Sequence, residues 1–281
     1  MSKVKLNHFV TGKIRNRFLN SFIMFLETGI KVVCLISEAS EADQSNIETL
    51  FRKIDDNLKP GHTVRILINN VGMGQNGKRR LGDISVTEGE GGLFEQIVNV
   101  NCVYPVLLTR AFLRRLKANE GESHEQDRYA IINLASCAAL TPATPFSSLY
   151  AATKSFNRSF SLSLAGEMSA KHLLHPENTP PVDVICVNPG FVVSNMTKMK
   201  ESAYCCSASD HAKVVFYKIS RSKGSVLGAV DIIPHWKHGL IWSVLAVMEV
   251  LIPSEWLLVA VIMPAVLKFS GKFRNFEIKD E

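Results

Sequence analysis

The sequence predicts an α/β protein built on a doubly wound parallel sheet. Two features lead to this prediction: strand-like segments alternate with helical patterns along the chain, and the strand-like segments are apolar on both faces. A parallel sheet that is covered by helices on both sides buries strands of this kind. The 281 residues, of which 46% are hydrophobic, are enough to form one sizeable core.

The predicted elements follow one another in regular order. Segments rich in β-branched residues are the predicted strands, at 31–37, 62–69, 129–135 and 182–188. Apolar residues recur at helical spacing in the segments 15–28, 43–58, 92–117 and 148–170. These elements form a predicted domain over 1–234, and a second, strongly apolar segment follows over 235–281.

The charge balance excludes some partners. The formal net charge is +6 and the sequence pI is about 9.0. The basic residues are spread thinly and form no stripe interleaved with aromatic residues, so we expect no binding to nucleic acid. An anionic membrane surface or a phosphorylated cofactor fits this charge better.

The cysteines indicate neither a disulfide framework nor a metal site. The chain has six, none of which forms a C-x-x-C motif, and no histidine cluster has metal-ligand spacing, so we predict no metal. A reduced location facing the cytosol is the simpler interpretation. Residues 1–12 contain no apolar run long enough for a signal peptide.

The segment 239–269 is the most apolar part of the chain, but Glu249, Pro253, Glu255 and Pro264 interrupt it. A membrane span usually needs about 20 uninterrupted apolar residues, and a carboxylate at its middle is costly. We therefore predict two short helices in a hairpin that lies in a membrane interface or caps an apolar pocket. The basic residues around it suit an interface: Lys237, Lys268, Lys272 and Arg274. A buried pair of C-terminal helices is the alternative.

Small, polar or glycine-containing turns follow three of the predicted strands. These turns are Asn70-Val71-Gly72, Ser136 and Pro189-Gly190. Because ligands bind at the carboxyl ends of the strands in an open parallel sheet, the three turns predict one shared crevice.

Tyr150 and Lys154 lie four residues apart in a predicted helix, so they share one face. A free phenol has a pKa near 10 and is a poor acid–base catalyst at neutral pH. An ammonium group beside it favours the phenolate, so we expect Lys154 to lower the pKa of Tyr150 toward the working range.

Two further polar residues complete a predicted site for carbonyl reduction. Ser136 can donate a hydrogen bond to a substrate carbonyl, and Asn101, on the preceding long helix, can hold a water that links Lys154 to solvent. Each residue also has an ordinary structural alternative, since a serine after a strand often caps a helix and an asparagine in a helix often bonds locally.

The motifs resemble the short-chain dehydrogenase/reductase family. They are "ILINNVG" (66–72), "VNVN" (98–101), "INLAS" (132–136), "YAATK" (150–154) and "VNPGFVVS" (187–194). Within the family, the chain is most similar to the branch of 17β-hydroxysteroid dehydrogenases and very-long-chain 3-oxoacyl-CoA reductases. The resemblance implies a Rossmann-like fold and catalytic roles for Asn101, Ser136, Tyr150 and Lys154. Ser136 stands one residue earlier than is usual in this branch, where Cys137 has the common spacing.

The resemblance also implies a nicotinamide cofactor, with NADP(H) favoured. The residues implied to bind it are Thr11, Gly12, Asn70, Gly72, Tyr150, Lys154, Pro189, Gly190, Val192 and Ser194. It further implies a location at the endoplasmic reticulum membrane facing the cytosol, with the cytoplasm as alternative. A homodimer that forms through 92–117 and 148–170, or partners in lipid elongation, are implied in the same way.

The N-terminal half departs from the family pattern. Relatives carry Thr-Gly-x-x-x-Gly-x-Gly at the first turn, where glycines let the backbone approach the pyrophosphate; here the second and third glycines correspond to Asn16 and Phe18. Ser37 and Glu38 stand at the position where relatives often carry a basic residue that recognises the 2′-phosphate of NADP. An acidic residue there favours the ribose hydroxyls of NAD(H), or binding of neither dinucleotide. We also predict that the chain is one strand short, because 38–56 passes directly from the second strand into the helix before the strand at 62–69.

Two classes of function follow from these observations. The first is an oxidoreductase that transfers hydride between a nicotinamide cofactor and a carbonyl or alcohol of a lipid-like substrate, a 3-oxoacyl-CoA or a steroid. The second is a weak or inactive dehydrogenase-like protein that acts as a binding or scaffold partner at a membrane.

Overall fold

A computed structural model describes residues 44–58, 64–74, 81–83, 92–118, 128–141, 144–174, 180–194, 196–197, 199–221 and 230–264. The predicted helix at 15–28, the predicted strand at 31–37 and the expected loss of a strand after it lie outside the described residues. The described part of the chain is an α/β structure, as predicted.

The described strands form a main sheet and a small separate ribbon. They are β1 (Ile66–Asn69), β2 (Tyr129–Leu134), β3 (Val182–Val187), β4 (Phe191–Val192), β5 (Cys205–Cys206) and β6 (Asp231–Ile232). Within the described residues, the main sheet has the order β1-β2-β3-β6 and every pairing in it is parallel. The ribbon pairs β4 with β5. The sequence analysis missed the short strand β6.

The described residues also form seven α-helices. The described α-helices are α1 (Gln44–Asn57), α2 (Gly92–Val98), α3 (Tyr104–Ala118), α4 (Ser148–Leu174), α5 (Ala208–Arg221), α6 (Trp236–Leu251) and α7 (Ser254–Leu257). Short 3-10 turns cover Leu81–Asp83 and Cys137–Ala139. The sequence analysis missed α5.

Apolar side chains cover both faces of the main sheet. On one face, Ile131 and Val184 pack with α1, α3 and α4 in the larger core cluster. On the other face, Ile132 and Ile185 pack with Val215 of α5. Successive side chains of a strand point to opposite faces, so strands buried on both faces are apolar without a break. The prediction of a doubly wound sheet is confirmed.

The predicted helix over 92–117 is divided in the structure. α2 and α3 are separated by a π-helical turn over Asn99–Val103. Such a turn inserts one extra residue into the helical register and frequently occurs at functional sites. Asn101 lies at its centre and is completely buried.

The apolar C-terminal segment breaks where the sequence analysis expected. α6 ends at Leu251 and α7 begins at Ser254, because the ring of Pro253 cannot continue a helix. The hairpin arrangement of these helices stays a prediction. Within the described ranges, each helix lacks either the length or the apolar character that a bilayer span requires.

Candidate active site

The carboxyl ends of β2 and β3 are held side by side by backbone hydrogen bonds that continue beyond the strands. The Ala135 amide donates to Val187 O at 2.9 Å, and the Cys137 amide donates to Pro189 O at 2.8 Å. The turn at Ser136 and the turn at Pro189-Gly190 are therefore neighbours, as a crevice at the carboxyl edge of the sheet requires.

Ser136 and Tyr150 are brought together at this edge. A hydrogen bond from the Ser136 side chain lowers the pKa of Tyr150, but burial has the larger effect and raises it. Ser136 also caps the following 3-10 turn, since its Oγ accepts a hydrogen bond from the Ala138 amide at 3.1 Å. Ser136 therefore caps the 3-10 turn and also lies at the position where the sequence predicts a catalytic residue.

The expected effect of Lys154 on Tyr150 is wrong in the cofactor-free chain. Burial raises the pKa of Tyr150 above its ordinary value, and Lys154 is not among the groups that lower it. The physical reason is the geometry of the pair. The Lys154 ammonium lies 5.9 Å from the centre of the Tyr150 ring, and its hydrogen bond goes elsewhere.

Lys154 is held by the backbone of β2. Its Nζ donates to Leu134 O at 2.9 Å, and only 4% of the residue is exposed. Burial lowers the pKa of Lys154 to about 8, although nearby Cys102 and Cys186 act in the opposite direction. The amine is therefore mostly protonated at neutral pH, yet it loses its proton far more easily than a surface lysine.

Asn101 joins the loop after β1 to α4. Its Oδ1 accepts from the Met73 amide at 2.7 Å, and its Nδ2 donates to Met73 O at 2.9 Å and to Thr153 Oγ1 at 2.9 Å. The sequence analysis expected this side chain to hold a water. Its amide is bonded to protein in these three contacts, and the water stays a prediction.

Gly72 packs against two of the predicted catalytic residues, Lys154 and Asn101. A Cβ at this position would lie 3.1 Å from Lys154 Nζ and 3.7 Å from Asn101 Oδ1. The absence of a side chain lets the loop after β1 approach the buried amine closely. Asn70 directly precedes this loop and its amide donates to Ile68 O at 3.1 Å.

The residues predicted after β3 lie along the same edge. Val192 is part of β4, and its carbonyl accepts from Thr197 Oγ1 at 2.7 Å. The Ser194 amide donates to the same Thr197 Oγ1 at 3.1 Å, and Ser194 is exposed. Thr11, Gly12, Asn16, Phe18, Ser37 and Glu38 lie outside the described residues.

Cys137, the alternative to Ser136 by spacing, donates its thiol hydrogen bond to the chain after β3. Its Sγ lies 3.3 Å from Asn188 O, only 2% of the residue is exposed, and burial raises the pKa of its thiol to about 12. The choice of Ser136 over Cys137 as the catalytic residue stays a prediction.

A buried polar network behind the site was missed by the sequence analysis. Asn69 Nδ2 donates to Asn133 Oδ1 at 2.7 Å and to Thr109 Oγ1 at 3.0 Å, and Asn133 Nδ2 donates to Ser161 Oγ at 2.9 Å. It ties β1, β2, α3 and α4 together. The signal was present, since an asparagine inside an apolar strand must find a hydrogen-bond partner when it is buried.

Comparison with known proteins places the chain in a family. The family model described as short chain dehydrogenase matches residues 24–204. The chain belongs to the short-chain dehydrogenase family. The family match covers β1 to β4, α1 to α4 and all the predicted catalytic residues.

Curated relatives come from the branch that the motifs predicted, which confirms the resemblance. The chain is 27% identical over 217 residues to a very-long-chain 3-oxoacyl-CoA reductase of Kluyveromyces lactis, covering 76% of this chain and 57% of that protein. It is 29% identical over 182 residues to the protein of that name from Schizosaccharomyces pombe, covering 65% and 48%. The chain spans about half the length of these curated relatives.

Solved structures share the fold. A short-chain dehydrogenase from Sphingobium yanoikuyae in complex with NADPH has a TM-score of 0.51 at 20% identity, covering 76% of this chain and 71% of that chain. A 3-ketoacyl-(acyl-carrier-protein) reductase from Brucella melitensis complexed with NADH has a TM-score of 0.52 at 20% identity, covering 68% and 72%.

The low pKa of Lys154 predicts a pH dependence of stability. Between pH 8 and 10.5, Lys154 is protonated in the unfolded chain but has lost its proton in the folded chain. Its contribution to the free energy of unfolding therefore increases as the pH rises. Over that window wild type should gain at most about 3 kcal/mol relative to Lys154→Met. Denaturant unfolding at several pH values measures this difference.

Lys200→Met, which alters an exposed lysine, is the matched control and should show no such gain over this pH window. A constant stability difference between wild type and Lys154→Met from pH 7.5 to 10.5 would contradict the perturbed amine.

Proposed function

We propose that this chain reduces, or in reverse forms, a carbonyl group on a lipid-like substrate with a nicotinamide cofactor. The observation that carries the proposal is the arrangement at the carboxyl edge of the sheet, where Ser136 bonds to Tyr150 and Lys154 lies one helical turn further along. Membership of the short-chain dehydrogenase family supports an oxidoreductase rather than the inactive scaffold.

Tyr150 is the proton donor in this proposal. Since burial raises the pKa of the phenol, it keeps its proton at neutral pH and can give it to the oxygen of the reduced carbonyl. Ser136 can hydrogen-bond the same oxygen as negative charge develops on it. Lys154, held by Leu134 O, lies on the same face of α4 as the phenol and is mostly protonated at neutral pH.

The reacting half of the site fits a nicotinamide cofactor. A protonated amine, two hydroxyl groups and a glycine without a side chain converge at the carboxyl ends of parallel strands, where such cofactors bind in this type of sheet. The residues that would hold it are Asn70, Gly72, Tyr150, Lys154, Pro189, Gly190, Val192 and Ser194. When bound, the cofactor supplies or accepts the hydride.

The cofactor preference is also a proposal. We propose NADP(H), in line with the resemblance to the reductase branch, and NAD(H) is the alternative that Ser37 and Glu38 favour. Solved relatives bind either form, since one is described with NADPH and another with NADH.

An apolar rim supports a lipid-like substrate such as a 3-oxoacyl-CoA or a steroid. Phe191, Met196 and Tyr204 are each more than two-fifths exposed along the chain that follows β3. Met196 reaches the loop after β1, because a Cβ on Gly74 would lie 3.8 Å from its Sδ. The curated relatives named 3-oxoacyl-CoA reductases favour the acyl substrate of the two.

Replacing the proposed proton donor tests this function. Tyr150→Phe should lower turnover of a long-chain 3-oxoacyl-CoA or a steroid ketone by roughly 10²- to 10⁴-fold, because proton transfer is lost. Oxidation of NADPH or NADH, followed by absorbance, measures the rate. Tyr217→Phe, which removes the hydroxyl of a tyrosine that is 59% exposed, is the control and should keep wild-type activity.

Equal turnover in wild type and Tyr150→Phe would reject the proton-donor role. If wild type neither turns over a substrate nor binds a dinucleotide at millimolar concentration, the inactive scaffold replaces the proposal.

We also propose that α6 docks on an anionic membrane surface. Five apolar side chains on its outward side are between 50% and 84% exposed to solvent: Trp236, Leu240, Val244, Val247 and Val250. The inward side, in contrast, packs His238 and Trp242 against the sheet domain. Tryptophan at the edge of an apolar face, next to Lys237 in a chain of net charge +6, is typical of helices that lie in the headgroup region.

This docking would bring the site to its lipid-like substrate. It agrees with a location at the endoplasmic reticulum membrane and with partners in lipid elongation, which we propose on the resemblance alone.

We also propose, on the family resemblance, a homodimer that forms through α3 and α4. Between these helices lies an apolar cavity of about 360 Å³, lined by Leu113, Phe160 and Leu164 among others.

Charged substitutions on α6 test the membrane proposal. Val244→Asp combined with Val247→Asp should abolish most co-flotation with liposomes that contain one-third anionic lipid, because carboxylates oppose burial in the interface. Leu173→Asp, at an equally exposed apolar position on α4, is the control and should float like wild type. Unchanged flotation of the double variant would contradict docking through this face.

A further inference from the structure

His238 connects three separate segments beside the proposed site. It lies in the first turn of α6, and only 6% of it is exposed. Its ring rests directly on Gly190. A Cβ at that position would lie 2.4 Å from His238 Nδ1, which is shorter than any real contact of this kind. The ring of His238 and a side chain at position 190 therefore exclude each other.

The other nitrogen of His238 fixes the segment that leads into β5. His238 Nε2 lies 2.9 Å from Tyr204 O. A carbonyl oxygen only accepts hydrogen bonds, so Nε2 carries the proton and donates it. Nδ1 is buried against Gly190, and among the described residues it has no hydrogen-bond partner.

Two further histidines lie close to this ring. His211 of α5 and His235 before α6 are its neighbours, and their rings cluster with it. Burial lowers the pKa of His211 to about 4, and it also lowers the pKa of His235.

The contact on Gly190 leads by a short chain of bonds to the proposed proton donor. Gly190 follows Pro189, whose carbonyl accepts from the Cys137 amide at 2.8 Å. Cys137 follows Ser136, which bonds to Tyr150. A shift of the Gly190 turn would therefore move the backbone that carries Ser136.

We propose that His238 is a positioning residue for the reaction, which holds the Gly190 turn and the chain at Tyr204 in place at the edge of the site. The inference rests on the proposed function for its effect on turnover, but the contacts themselves exist without catalysis. His238 touches neither substrate nor cofactor in this account, and it acts through Gly190 and Tyr204.

A double-mutant cycle tests the contact with Gly190. Gly190→Ala should lower kcat/KM at least about tenfold in the wild-type background, because the new methyl group collides with the imidazole. In a His238→Ala background the same change should cost several-fold less, because the collision with the imidazole is then removed. An equal cost in both backgrounds would overturn the proposal.

A conservative variant separates the hydrogen bond from bulk. His238→Gln keeps an N–H that can reach Tyr204 O, so it should retain most of the kcat/KM that His238→Ala loses. The loss in His238→Ala should appear mainly in kcat if Ser136 shifts, rather than in KM. Equal losses in the Gln and Ala variants would contradict the role of the Tyr204 hydrogen bond.

Limited proteolysis tests the same contact without any turnover. Trypsin should cut after the exposed Lys200 about tenfold faster in His238→Ala than in wild type, because the chain at Tyr204 is released. Leu240→Ala, on the outward side of the same helix, should match wild type. If wild type is inactive but the cleavage rates differ as stated, the proposed function fails and the role of His238 in holding the chain stands. Equal cleavage rates in wild type, His238→Ala and Leu240→Ala would overturn the role of His238.

Discussion

The pairing of β2 with β3 is the constraint on which the site depends. The two strands run in parallel with six residues in register, from Tyr129 opposite Val182 to Leu134 opposite Val187. The same ladder continues past their ends, through the amides of Ala135 and Cys137. Ser136 and the Gly190 turn are carried to one place by this register, and Lys154 is anchored to the last carbonyl of β2. A shift of one residue would send every side chain of a strand to the opposite face.

Buried polar groups then fix the helices against this ladder. α4 contributes Lys154, Arg158 and Ser161 to bonds with the sheet, while its apolar residues fill the core. Arg158 forms an ion pair with Asp231 of β6, and Asp231 also accepts a hydrogen bond from Asn188 at the end of β3. Satisfied networks of this kind specify one arrangement of a core more strictly than apolar contacts do. The site is therefore supported by hydrogen bonds on both sides of β2.

The sequence was sufficient for the regular parts of the fold. Apolar runs located β1, β2 and β3, and helical spacing located α1 and α4 to within a few residues, because both signals depend on local periodicity. The strand β6 has only two residues, too few for a periodic pattern. The π-helical turn at Asn99–Val103 has the composition of an ordinary helix, so one long helix was predicted there.

The candidate site was predictable in its residues but not in its electrostatics. Spacing, position and the family resemblance indicate Asn101, Ser136, Tyr150 and Lys154, and their catalytic roles stay predictions. The pKa of Tyr150 depends on how deeply the phenol is buried and where Lys154 donates, and both are properties of the packed structure. His238 lies 48 residues after Gly190 in the sequence, and no local pattern connects the two.

In the proposed reaction Tyr150 remains a neutral phenol until it donates its proton, and titration of that phenol tests this claim most directly. Tyrosine labelled with ¹³C at the ring carbon that bears the hydroxyl gives one resonance for each of the five tyrosines, and Tyr150→Phe identifies the resonance of Tyr150. In the cofactor-free protein we predict that this resonance titrates above the ordinary pKa of about 10. A transition below pH 9 would contradict the account, because the phenol would then be acidified by Lys154 rather than held neutral by burial.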